Sequence, residues 1–85
     1  MSDLREYAII VEFSYEPKSE QFVVRFLDNN SYVLKVSDLP KKVQTRKPEW
    51  GNSVLSDDKS ALVVPAGGEN KVIPFNVIHA KGTLL

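Results

Sequence analysis

Apolar and polar positions alternate most cleanly between Glu20 and Leu27. Phe22, Val24 and Phe26 fall on one face there, and Gln21, Val23, Arg25 and Leu27 on the other. A period of two is that of a half-buried strand. Two further runs flank it. Tyr7 to Ser14 is rich in Ile, Val and aromatics and is apolar on both faces in its middle. Ser31 to Val36 puts Tyr32, Leu34 and Val36 on one face, with Ser31 and Lys35 turned away. Glu16-Pro17-Lys18-Ser19 separates the first run from the second, and Asp28-Asn29-Asn30-Ser31 the second from the third. Asn and Asp tolerate positive φ, so the latter predicts a tight hairpin turn and the three runs a meander.

The period then changes. Ser37 is placed to cap a helix, with Asp38 at its positive end and Pro40 in its first turn. Leu39 and Val43, four apart, would share a face, and Pro48 disfavours helix at Lys47. This predicts about two turns of helix, which needs packing against the sheet because so short a helix is marginal alone. Val54-Leu55 precedes a turn at Ser56-Asp57-Asp58-Lys59. Ala61 to Val64 reads as a strand covered on both faces, Pro65 to Asn70 as a flexible loop, and Lys71 to Phe75 as a strand that Pro74 marks as an edge, a bulge or an end. Asn76 to Ala80 extends that strand or turns once as a 3₁₀ helix. The tail from Lys81 to Leu85 adds an edge contact or frays.

Five or six short strands cut by turns predict an all-β fold: a small antiparallel SH3-like barrel or a strongly curved sheet. The resemblance to SH3-like barrels is one of strand number and spacing, and many functions share that fold. An α+β arrangement, with the short helix packed on an antiparallel sheet, is the alternative. The 85 residues suit a single domain, 1–85, with 1–6 and 82–85 as the places to fray. An apolar share of 42% allows a small core.

Charge changes the picture locally. The net charge is zero, so no global field draws the chain to nucleic acid or membrane. Yet Asp3, Glu6, Glu12, Glu16, Glu20 and Asp28 outnumber Arg5, Lys18 and Arg25 in the first third. Lys35, Lys41, Lys42, Arg46 and Lys47 then stand against Asp38 alone. There is no cysteine, which excludes disulfides and thiolate metal sites and fits a reducing compartment. The first residues lack the apolar core of a signal peptide, and no apolar run approaches the ~20 residues of a membrane span. The expectation is a cytoplasmic protein without a membrane partner.

Candidate chemistry is sparse. No Gly-x-Ser-x-Gly elbow is present, and the single histidine, His79, reads as a surface or edge-strand residue. Asp57-Asp58 is a turn without calcium-loop spacing. Glu12, Glu16 and Glu20 read as solvent-facing charges that keep an edge soluble. Ala66-Gly67-Gly68-Glu69-Asn70 lacks the Lys and Ser/Thr of a phosphate loop and reads as a hairpin. No catalytic, metal or cofactor site is expected.

The richest stretch runs from Lys41 to Trp50, where Lys41, Lys42, Arg46 and Lys47 lie close to the only Trp. Cations meet phosphates or acidic side chains, and an indole face stacks on a base or anchors a protein contact. Tyr15 and Tyr32 would extend such a surface if exposed. The plainer reading makes the bases solubilising and Trp50 a core residue. The functional expectation is therefore a non-catalytic interaction module or accessory subunit. Its contact surface would be Lys41, Lys42, Arg46, Lys47 and Trp50, and its partner a protein. Single-stranded nucleic acid is the alternative, and homodimerisation through an edge strand is a further option.

Overall fold

The computed structural model describes residues 5–85, so Met1 to Leu4, where fraying was also expected, lie outside the described residues. Seven antiparallel strands form two sheets. β1 (Ile10–Glu16), β2 (Gln21–Phe26), β3 (Ser31–Lys35) and β7 (Thr83–Leu84) are hydrogen-bonded in the order β1-β2-β3-β7. β4 (Val54–Leu55), β5 (Ala61–Ala66) and β6 (Glu69–Pro74) make a second sheet in the order β4-β5-β6. The meander is present, and the protein is mostly β.

The period-two pattern of β2 sets the inner layer. Phe22, Val24 and Phe26 are each 0% exposed. Leu34 and Ile10 join them from the same sheet, and Leu62, Val64 and Ile73 face them from the second. One apolar cluster thus draws on both sheets. A backbone bond ties the layers together, Ile10 N–H donating to the Lys59 carbonyl at 2.8 Å, while Phe75 N–H to the Ser60 carbonyl, also at 2.8 Å, continues the β5–β6 pairing past Pro74.

Each hairpin is closed by different chemistry. Between β2 and β3, Asn29 takes φ 71° and Asp28 Oδ1 accepts the Asn30 N–H at 3.0 Å, as Asn and Asp permit without glycine. Between β5 and β6 the turn is only Gly67-Gly68, at φ 57° and 88°. Two successive positive φ values define the turn whose twist matches a two-residue hairpin. Pro65 to Asn70 is therefore the tip of a hairpin, with four of its six residues in strand, rather than a flexible loop. Between β4 and β5, Asp58 Oδ1 accepts from Ser60 N–H at 3.0 Å and from the Ser60 and Ser56 hydroxyls at 2.6 and 2.9 Å. The Ser60 hydroxyl bond, then the Ser60 amide, hold this carboxyl below its ordinary range.

Three further expectations need correction. The first strand starts at Ile10, because Glu6–Ala8 makes a 3₁₀ turn. The helix predicted from Ser37 is a 3₁₀ turn at Val36–Asp38 followed by a single α turn, α1 (Lys41–Gln44), with Pro40 in the capping position and Ser37 making no cap bond. Leu39 and Val43 are both buried, at 4% and 6%, but Leu39 lies outside the helix; packing sets their burial, not a shared helical face. Lastly, Asn76 to Ala80 belongs to an α-helix, α2 (Phe75–Lys81), which begins immediately after Pro74. Proline's missing N–H and fixed φ suit a helix start. Ile78, fully buried, anchors α2 in the core. The tail is held: β7 pairs Thr83 with Val33 and Leu84 with Tyr32.

Candidate binding surfaces

The connection from Pro40 to Ser53 wraps the tip of the β5–β6 hairpin. Glu49 N–H donates to the Pro65 carbonyl at 2.8 Å. Arg46 and Lys47 both adopt left-handed backbone, at φ 64° and 51°. Such a conformation disfavours residues with a Cβ, and doubly so before Pro48. Arg46 lies directly over the hairpin turn: a Cβ on Gly67 would meet both the Cβ and the carbonyl oxygen of Arg46 at 3.3 Å. Glycine is thus needed at 67 for its φ and for the close approach.

Lys41, Lys42, Arg46 and Lys47 are all exposed. Arg46 Nε sits 3.6 Å from Glu69 Oε1, and Lys71 Nζ 3.3 Å from Glu69 Oε2. Among the described residues Lys41, Lys42 and Lys47 form no ion pair. Lys71, whose side chain is only 17% exposed, is a fifth cation that the sequence did not single out. Trp50 is half-buried. Its indole meets the fully buried Phe22 edge-on, with centroids 6.1 Å apart, and Phe22 in turn packs on Tyr15 at 4.9 Å. Burial, then the nearby Glu20 charge, push the Tyr15 hydroxyl up. Tyr15 therefore joins Trp50 through Phe22, whereas Tyr32 does not; it belongs elsewhere.

Tyr32 helps to line an open cleft of about 580 Å³ with Tyr7, Phe75, Asn76, Asp28 and His79. This site was not legible beforehand. His79 lies on α2, not on an edge strand, and is half-buried. Its Nε2 is 2.7 Å from the Tyr7 carbonyl oxygen. A carbonyl only accepts, so Nε2 donates. The imidazole stacks on buried Phe26, with centroids 4.7 Å apart and planes 32° apart. Three other rings stand steeply to its plane: Tyr32 at 4.6 Å and 76°, Tyr7 at 5.9 Å and 75°, and Phe75 at 6.2 Å and 83°. Asp28, shaped by its own turn, supplies the carboxylate. The available signal was Pro74 followed by Phe75, Ile78 and His79 at helical spacing.

No ion pair joins Asp28 to His79 among the described residues, and no three His, Asp or Glu side chains converge there as metal ligands. No described helix is long and apolar enough to cross a membrane. No protein-family model, curated protein or solved structure matches this chain.

Proposed function

We propose that this chain is a non-catalytic cytoplasmic interaction domain that meets an acidic protein partner through Lys41, Lys42, Arg46, Lys47 and Trp50. One observation carries the reading. The segment is exposed and charged, yet it is fixed at two points, in its middle by Arg46 lying over Gly67 and at its end by Trp50 seated on Phe22. A held backbone leaves mainly the cationic side chains to be ordered on binding. Two antiparallel sheets sharing one core support reading the architecture as an SH3-like barrel left open. The non-catalytic reading is supported by His79, whose Nε2 is taken up by a backbone carbonyl.

Single-stranded nucleic acid is the competing occupant, favoured by the exposed part of the Trp50 indole as a stacking surface. An amide NMR titration with an acidic peptide and with short mixed-sequence RNA and DNA, at low and moderate salt, separates the two. Shifts over Lys41 to Trp50 with the peptide alone support the proposal. Shifts with nucleic acid that fade steeply with salt replace it by the alternative. Silence from both ligands at low salt removes the segment as a contact surface.

A further inference from the structure

From the cleft around His79 we infer a second binding site, one that accepts the alkylammonium head of a lysine side chain on a partner protein. The site is an aromatic box. The imidazole, backed by Phe26, forms one wall, and Tyr7, Tyr32 and Phe75 stand at 75°, 76° and 83° to it. Aromatic faces attract cations through their quadrupoles, at exposed sites as well as at dry ones. Asp28 adds the complementary negative charge, and among the described residues neither Lys nor Arg lines the cleft. The volume, about 580 Å³, accommodates a side chain with a long aliphatic stem.

The walls are supported rather than free. The Tyr7 backbone is held by its carbonyl on His79 Nε2, and its ring meets Phe75 edge-on with centroids 5.9 Å apart. Tyr32 lies on β3, where its backbone pairs with Leu84 of β7 and Val24 of β2. Phe26, behind the imidazole, is 0% exposed. Little ordering remains to oppose a ligand. The lining residues share none of the positions in the basic segment, so either surface can fail without the other.

The test is an amide NMR titration with three blocked amino acids: lysine, trimethyllysine and norleucine. Norleucine carries the apolar stem without the charge. The expected result is saturable shifts at Tyr7, Asp28, Tyr32, Phe75 and Asn76 with both cations, and none with norleucine. Asp28→Asn keeps an acceptor for the Asn30 amide while removing the charge, and is expected to weaken the cations roughly fivefold. Tyr7→Ala, at an exposed ring, should weaken them comparably and leave the core intact. Equal binding of norleucine, or no saturable shift on these residues, overturns the inference. So does binding that is indifferent to Asp28→Asn and Tyr7→Ala. Shifts confined to Lys41 to Trp50 in the peptide titration bear only on the other surface.

Discussion

The two surfaces are built in opposite ways. The basic segment is contiguous in sequence, irregular in backbone, and keyed to the fold by Gly67. The aromatic cleft gathers residues from a 3₁₀ turn, a hairpin, β3 and α2, and is keyed by Gly82. A Cβ at Gly82 would lie 2.5 Å from the Ile78 carbonyl oxygen and 3.3 Å from that of Val33. Gly82 N–H donates to that same Ile78 carbonyl at 2.7 Å, so α2 can end directly against β3. A contiguous surface tolerates loss of packing elsewhere. A convergent one depends on the core beneath it.

The largest expected effect breaks the comparison on the cleft side. Phe26→Ala removes a fully buried ring from under His79 and should cost about 3–5 kcal/mol. Urea denaturation measures this, and an unchanged midpoint would show that Phe26 does not carry the inner layer. Next come the two glycines. Gly82→Ala should cost roughly 1–3 kcal/mol by overpacking and should shift amides of α2 and β7. Gly67→Ala should cost roughly 1–2 kcal/mol through its left-handed backbone and shift amides of Arg46 and Lys47 instead. Overlapping perturbations from the two variants would mean that the surfaces are coupled.

Smaller effects sharpen the contrast. His79→Leu removes the bond to the Tyr7 carbonyl and should cost about 1 kcal/mol, with faster hydrogen exchange around Ala8 as the local readout. Unchanged exchange there would show that the bond does not hold the 3₁₀ turn. Glu69→Gln removes a half-exposed carboxylate, leaves Arg46 and Lys71 unpaired and should change stability by about 0.2–1 kcal/mol. Its informative readout is tighter binding of an acidic peptide; weaker binding would show that Glu69 orders the cations rather than offsetting them.

This difference also governs what the sequence disclosed. β2 was legible because its alternation and its burial are the same fact, and Asp28-Asn29-Asn30 announced its turn by side-chain chemistry alone. The basic segment was legible as composition, though not the way it is held, since Arg46 meets Gly67 across a gap of 21 positions that no local pattern encodes. α2 was missed because Val77 and Ile78 continue a β-branched run. Pro74 reads as a strand's edge, bulge or end, although it equally opens a helix. The cleft follows from α2: with Asn76 to Ala80 extended, His79 does not reach Phe26, Tyr32 or the Tyr7 carbonyl. Tertiary packing decided between two local conformations that propensity left level.

The free edge of β1 has a colloidal consequence. Copies of a chain with zero net charge repel one another little at long range. Whatever keeps them apart must act at contact, and β1, seven residues long at the margin of its sheet, is an open template for pairing. Antiparallel self-pairing centred on Ser14 would set each Glu12 against the Glu16 of the other copy. The register slip between Ile10 and Glu12 bends the same edge. Pairing of two copies through this edge is thus opposed by two carboxylates, one of them held by Arg25 at 2.9 Å, and by one irregular residue.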